Sequence, residues 1–325
     1  MTLEAELPIE IATLVAPLDV KPPPVQGTDA WADAGRNVLR LHFGRLVARV
    51  PGVVEGADPE EVHGMRVAAR RMRAAWRVFG DAFARDVGRR MVADLRDVGR
   101  LLGRVRDRDV LLGILDAYSA EHEIASLAAL RADWQAERAA GHAELVANLS
   151  SRAFAGFVHE YEDFLRPGAA DHERAGVAHA PVRILYPGRA WTAYGALAAY
   201  AERVQPTRVA DLATFHQVRI AGKWLRYTLE FARDALGSDA ASLIEPVVAL
   251  QDHLGEQHDL HEGVRLAHDY LERAQPSRAE RSAISRLVRD FDRSVVRYTA
   301  GFKPIWRPIV AKRYRTTLGR SLTRL

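Results

Sequence analysis

The chain has 325 residues, of which 48% are hydrophobic and 27% charged, a composition that excludes a mainly disordered or collagen-like protein. The absence of cysteine excludes disulfides, zinc–thiolate sites, iron–sulfur clusters and cysteine nucleophiles. Only four of the 46 basic residues are lysines, and arginine suits phosphate because its planar guanidinium pairs phosphate oxygens bidentately. A GC-rich genome also favours arginine codons, so only the placement of the charges separates these two explanations.

The N-terminal segment, residues 1–30, contains Lys21-Pro22-Pro23-Pro24 and no sustained periodicity, which predicts an extended tail. Its first residues include acids where a secretion signal carries bases. No stretch of the chain approaches the roughly 18 consecutive apolar residues that a membrane span needs. The sequence therefore predicts a cytoplasmic protein without a membrane partner.

From Trp31 onward, apolar residues recur at helical spacing, and runs of alternating β-branched residues are almost absent. This pattern predicts an all-α fold. A stretch rich in small residues, histidine and proline breaks the helical pattern near the middle of the chain. We expect a first helical bundle at 31–166, a linker at 167–188 and a second bundle at 189–325.

An internal repeat relates the two halves. Residues 62–73 align without a gap to 215–226, an offset of 153 residues, and Asp58 aligns with Asp211 at the expected N-cap of each helix. A second block, 102–107, aligns with 254–259 at an offset of 152. Two blocks in the same order and spacing indicate a gene duplication in which each half forms one helical bundle.

The repeated helices carry a row of cations on one face. At about 100° per residue the charged heads fall within an arc of roughly 80°, with about 4.5 to 6 Å between successive heads along the axis. Few acids in either segment offset this charge, and stacked like charges destabilise a helix. One explanation is that the row is an ordinary solvated cationic face. Binding of a phosphate polymer is the better explanation, because the row is present at matching positions in both halves. The row consists of His63, Arg66, Arg70 and Arg73 in the first half and His216, Arg219, Lys223 and Arg226 in the second.

The pattern H-x-x-R-[VI]-x-x-[RK]-x-x-R occurs twice, each time followed by L-G-x-x-x-D at an expected helix end. It resembles the CHAD family, the conserved histidine α-helical domains, over about residues 31–315. The resemblance implies two four-helix bundles related by pseudo-two-fold symmetry, with a basic groove or pore between them that binds inorganic polyphosphate. We expect no cofactor. The eight residues of the row would line that groove. Secondary basic candidates are Arg77, Arg96, Arg100, Arg104, Lys312 and Arg313.

The histidines have three possible roles. For His63 and His216 we rank contact with phosphate first, structural hydrogen bonding second and metal binding third. Three histidines and an aspartate in the second half are a separate metal candidate. Of these four residues, only the aspartate is repeated in the first half, so we predict no metal site. Asp107 and Asp259 are instead expected to be structural partners of arginines or helix ends. The aligned residues are His253, His258, Asp259 and His261 against Leu101, Arg106, Asp107 and Asp109.

The leading hypothesis is therefore a polyphosphate-binding protein without catalytic activity, which could direct itself to polyphosphate granules. An enzyme acting on phosphoanhydrides is an alternative. The segment Glu4-Ala5-Glu6-Leu7-Pro8 is similar to the motif of a triphosphate tunnel domain, but it ends in proline where that motif has lysine. No paired carboxylates or phosphate-binding glycine loop are apparent elsewhere in the sequence. Binding of nucleic acid is a second alternative. Few aromatic residues interleave with the cationic row and no helix-turn-helix motif is visible, so we expect nucleic acid not to be the partner.

Overall fold

The computed structural model describes residues 22–122, 127–166, 172–204 and 212–325. These residues form helices and two isolated bridges but no β-strand, which confirms the all-α prediction. The helices are α1 (Trp31–Val47), α2 (Val50–Glu55), α3 (Pro59–Phe79), α4 (Arg85–His122), α5 (Ala128–Leu149), α6 (Arg152–Leu165), α7 (Val182–Ala198), α8 (Leu212–Phe231), α9 (Ala240–Arg273), α10 (Arg278–Val310) and α11 (Lys312–Leu322).

The order and packing of the helices repeat between the halves. Helix α1 packs on α3, α3 on α4 and α4 on α5, as α7 packs on α8, α8 on α9 and α9 on α10. The copies differ near their ends, because α5 stops at Leu149 before α6 whereas α10 continues through Pro304 and Pro308. The internal repeat thus extends from two short motifs to the succession of long helices.

Helix α3 begins as its sequence predicts. The Asp58 carboxylate accepts a hydrogen bond from the Glu60 N–H at 2.9 Å, and Pro59 occupies the first helical position. Met65 and Met72 are fully buried on the face opposite the cations, which seats the helix on the core. The corresponding cap, Asp211, lies outside the described residues.

Two boundaries differ from the sequence prediction. The predicted linker is helical from Val182 onward, because Pro187 removes only one backbone hydrogen bond while Tyr186 and Ala190 are buried beneath it. The described end of the predicted tail, 22–30, is also held by the fold, since the Arg183 N–H donates to the Gly27 carbonyl at 2.9 Å.

The L-G-x-x-x-D motifs do not end helices. They lie inside α4 and α9, which continue to His122 and Arg273. Among the described residues, no proline or left-handed glycine directly follows either motif to terminate the helix there. The additional turns bury large side chains, each of which contributes about 1.5–3 kcal/mol when fully removed from water.

The halves contact each other at two levels. At one level the main core continues from one half into the other, with the Phe79 and Phe231 rings 6.3 Å apart. At the other, the far ends of the α4–α5 and α9–α10 pairs form a second core that includes Trp134 and Phe291. There the Tyr118 hydroxyl donates to the Asp290 carboxylate at 2.6 Å. The middle parts of α4 and α9 lie between these two contacts.

Candidate functional site

Helices α3 and α8 pack against each other and bring together four cations, Arg66, Arg70, Arg219 and Lys223, which we call the central cluster. Burial lowers the pKa of Arg66, and the neighbouring charge of Arg70 lowers it further. The pKa of Arg219 is lowered first by burial and then by Arg70 and Arg66 of the other half. The cations of the two halves are therefore close enough to repel one another.

Lys223 is affected by burial and by these neighbouring cations together. Burial, followed by the charge of Arg219 and then of Arg70 and Arg66, lowers the pKa of its ammonium to about 7. The amine is thus partly neutral near neutral pH, unlike an exposed lysine. An anion bound beside it would favour the protonated form.

Two aspartates accompany the central cluster. The Arg66 guanidinium donates to Asp107 Oδ1 at 3.4 Å, a long contact at an exposed position. Asp259 is more buried, which raises its pKa, while Arg219 and Lys223 oppose that rise. Meanwhile Nε of Arg70 and Nε of Arg219 are buried without a hydrogen-bond partner. The carboxylates therefore leave donors in the central cluster unused.

The two repeated histidines lie beside the cluster. The pKa of His63 is lowered mainly by burial and then by Arg106, with smaller contributions from Arg70 and Arg66. His216 is exposed, with its ring 5.7 Å from that of His258. Burial and then Arg219 lower the pKa of His258 to about 4, so that imidazole is neutral at neutral pH.

One histidine of the metal candidate in the second half, at which we predict no metal site, bonds to a neighbouring helix. His253 Nε2 lies 2.7 Å from the Tyr298 carbonyl oxygen, a hydrogen bond that ties it to α10. Within the part of the chain that the structure describes, no three His, Cys, Asp or Glu side chains come close enough to hold a metal ion.

The last cation of each row lies away from the central cluster. Burial and the charge of Arg96 lower the pKa of Arg73, which lines a separate cleft with Arg77. In the second half, Arg226 Nε donates to Glu230 at 2.7 Å. Six of the eight residues of the predicted row thus lie in or beside the central cluster, and these two do not.

The secondary basic candidates lie at several separate places in the structure. Arg77 and Arg96 line the same cleft as Arg73, whereas Arg100 lies 3.7 Å from Asp97 on its own helix. Arg104 forms an ion pair with Glu144 of α5. Lys312 and Arg313 are exposed at the start of α11, which packs on α9 and α10.

In a comparison with protein families, the CHAD domain model matches residues 37–268, which include both repeated helices. The chain belongs to the CHAD domain family. Its structure is similar to that of the CHAD domain from the plant Ricinus communis, with 25% sequence identity, a TM-score of 0.72 and coverage of 89% of this chain and 94% of that one.

A second similar structure is PptA from Streptomyces chartreusis, with 17% identity and a TM-score of 0.69 over 86% of this chain and 99% of that one. This second likeness concerns the fold alone. No curated protein sequence gives a significant match. None of the described helices is long and apolar enough to cross a bilayer.

In this CHAD domain, sequence reasoning missed the contacts that join α3 to α8. Arg71, to which the sequence assigned no role, lies 2.7 Å from Glu230. The Arg77 guanidinium lies 4.8 Å from the centre of the Trp224 ring. In the repeat, Arg71 aligns with Trp224 and Arg77 aligns with Glu230. The two copies therefore differ at both positions, and these differences are the only sequence signal that pointed to the interface.

Proposed function

We propose that this CHAD domain binds inorganic polyphosphate along the central cluster without catalysing a reaction on it. The observation that carries the proposal is the joining of cations from both halves, Arg66 and Arg70 with Arg219 and Lys223, close enough to lower one another's pKa. Such crowding opposes folding unless an anion offsets it. A chain of phosphates supplies one negative charge after another at a spacing that successive guanidinium groups can pair.

The position of the central cluster supports a groove between two bundles. The halves contact each other where α3 packs on α8, and again at the second core around Trp134 and Phe291, further along α4 and α9. A linear ligand would lie between these contacts, touching equivalent helices of both halves. The buried, unpartnered Nε groups of Arg70 and Arg219 supply donors that such a ligand would satisfy.

The histidines fit contact with phosphate at the edge of the cluster. His63 is near Arg66 and Arg70, and His216 is exposed beside His258. A neutral imidazole can donate one N–H to a phosphate oxygen. We therefore propose that both rings contact the ligand and hold no metal, with His63, whose pKa burial lowers, as a neutral donor.

A binding titration tests the proposal. Long-chain polyphosphate is titrated into the protein at about 50 mM and about 200 mM salt, where counterion release predicts a steep loss of affinity. The variant R66E/R219E/K223E should lose at least about 100-fold in affinity, because three attractive contacts become repulsive. The matched control is R289E/R297E/R307E, which makes the same charge change at exposed positions of α10. Circular dichroism verifies that both remain helical, and equal affinities in the two variants would refute the central cluster as the site.

Two further measurements separate the alternatives. Release of phosphate from tripolyphosphate with a divalent metal would show an enzyme and contradict the proposal. Displacement of polyphosphate by duplex DNA or RNA at equal charge concentration would favour a nucleic-acid partner instead. We expect neither, because the cluster is compact and carries no stacked row of exposed aromatic rings.

The same binding could place the protein on polyphosphate granules in the cytoplasm. A fluorescent fusion of the chain should co-localise with the granules, and the R66E/R219E/K223E fusion should remain diffuse. Granule association of the triple variant would show that another surface directs it there.

A further inference from the structure

A second basic site lies outside the central cluster, where the C-terminal part of α3 meets the beginning of α4. It is a cleft of about 590 Å³, a volume typical of sites for small molecules rather than for polymers. We call it the arginine–tryptophan cleft. Its cations are Arg73, Arg77, Arg85, Arg89, Arg96 and Arg174.

The charges of this cleft are not offset. In the described part of the chain, none of its six arginines forms an ion pair with a carboxylate. The one acid in the lining, Asp81, is already bound by Arg189 and by the Trp31 indole N–H, the latter at 2.9 Å. Helix α4 also begins here, so its free N–H groups add partial positive charge. Together these groups form a site of strong positive potential.

The duplication does not account for the cleft. The central cluster is present in both halves, whereas four of the arginines in the cleft are replaced in the second copy. At the offset of 153 residues, Arg77, Arg85, Arg89 and Arg96 correspond to Glu230, Ser238, Ser242 and Ala249. These four arginines are therefore not repeated in the second half, and the ligand of the cleft need not have the two-fold character of a repeated polymer.

One part of the cleft is lined by apolar groups. A Cβ atom on Gly88 would lie 3.3 Å from the carbon edge of the Trp76 ring, and one on Gly80 would lie 3.4 Å from it. The edge of this largely buried ring lines the cleft because neither glycine has a side chain to cover it, and Val92 lies in the same lining. The Trp224 ring completes the lining, under the guanidinium of Arg77. Planar groups stack favourably on indole and guanidinium faces.

We propose that the arginine–tryptophan cleft binds a nucleoside polyphosphate, with the base against the tryptophans and the phosphates among the arginines. The inference is independent of the proposed polyphosphate site, because it rests on residues that the central cluster does not use. It accounts for the apolar floor, which a purely inorganic phosphate chain would leave uncontacted.

Binding of a fluorescent ATP derivative, followed by anisotropy with EDTA present, tests this proposal by competition. Unlabelled ATP should compete at least about tenfold better than tripolyphosphate and better than adenosine, because it alone fills both parts of the cleft. The variant R85E/R89E should lose about tenfold or more in ATP affinity. A glutamate at position 85, the first residue of α4, also suits the helix dipole, and one at position 89 follows in the second turn, so this variant is expected to fold.

Matched controls make the outcome decisive. R289E/R297E changes the same charge at a distant arginine-rich surface of α10 and should retain ATP binding. Trp224→Ala should weaken ATP but not tripolyphosphate, whereas Trp191→Ala, at an exposed position on α7, should affect neither. The proposal is overturned by equal competition from tripolyphosphate and ATP, or by equal affinity in R85E/R89E and its control. Loss of ATP binding only in R66E/R219E/K223E would place the nucleotide in the central cluster and overturn it as well.

Discussion

The guanidinium of Arg71 lies 2.7 Å from the carboxylate of Glu230, across the contact between α3 and α8. The aligned pair of positions meets a second time, where the Arg77 guanidinium lies 4.8 Å from the Trp224 ring centre. A contact in which position i meets j and j meets i is the mark of a two-fold relation. The interface therefore has two-fold geometry with different chemistry at its two equivalent contacts, one of which is an ion pair and the other a cation–π contact.

Removing the Glu230 carboxylate should destabilise the fold. Glu230 faces both Arg71 and Arg226 at 2.7 Å and is largely buried, so Glu230→Gln leaves two cations without their partner. We expect the free energy of unfolding to fall by about 1–3 kcal/mol. Urea denaturation measures it. Glu144→Gln, which breaks the exposed pair with Arg104, should cost no more than about 1 kcal/mol; equal losses would mean that the interface pair has no special weight.

Equivalent arginines in the two halves should contribute equally to polyphosphate binding. Arg66 and Arg219 align in the repeat and are both partly buried in the central cluster. Arg66→Gln and Arg219→Gln should each lower the slope of log K against log salt by about one. Fluorescence anisotropy over a range of salt concentrations measures both, with Arg307→Gln as the exposed control. A change in only one half would show that the ligand contacts the halves unequally.

The affinity for polyphosphate should fall as the pH rises. Burial and then Arg219, Arg70 and Arg66 lower the pKa of Lys223 to about 7, with Asp259 opposing them. A bound anion favours the charged amine, so binding takes up a proton once the pH exceeds that pKa, and affinity declines between about pH 6.5 and 8.5.

Lys223→Arg provides the control, because arginine stays charged over this range. Titrations at several pH values should show a flat profile for this variant and a declining one for the unchanged protein. The same decline in both would assign the pH dependence to another group.

Asp259 should oppose binding even though it supports the fold. Its carboxylate lies near Arg219, Lys223 and Arg66, as their effect on its pKa shows. Asp259→Asn removes a negative charge from the ligand's surroundings, so affinity for polyphosphate should rise about three- to tenfold. The free energy of unfolding should fall by about 1–2 kcal/mol because the cations lose a partner.

Parallel titration and urea denaturation measure these two effects. Asp269→Asn removes the same charge from an exposed position of α9, where the carboxylate pairs with Arg265, and should change affinity little. Weaker binding by Asp259→Asn would mean that the carboxylate chiefly holds the arginines in position.

Several features could be predicted because they depend on local chemistry. The cap at Asp58 and the start of α3 follow from neighbouring side chains. By contrast, the continuation of α4 past Asp107 depends on the second core, whose members come from both halves. The helical start at Val182 likewise depends on buried contacts rather than on the local proline and glycine content.

The sequence by itself determined the helical class, the duplication and the face of α3 and α8 on which each cation lies, because periodicity fixes the angle of a side chain around its helix axis. Only the tertiary structure decided which cations meet. The packing of α3 against α8 brings Arg66 and Arg70 beside Arg219 and Lys223, while Arg73 faces Arg96 and Arg226 pairs with Glu230. A single helix pattern contains no information on its neighbours, and those neighbours set the charge around each head.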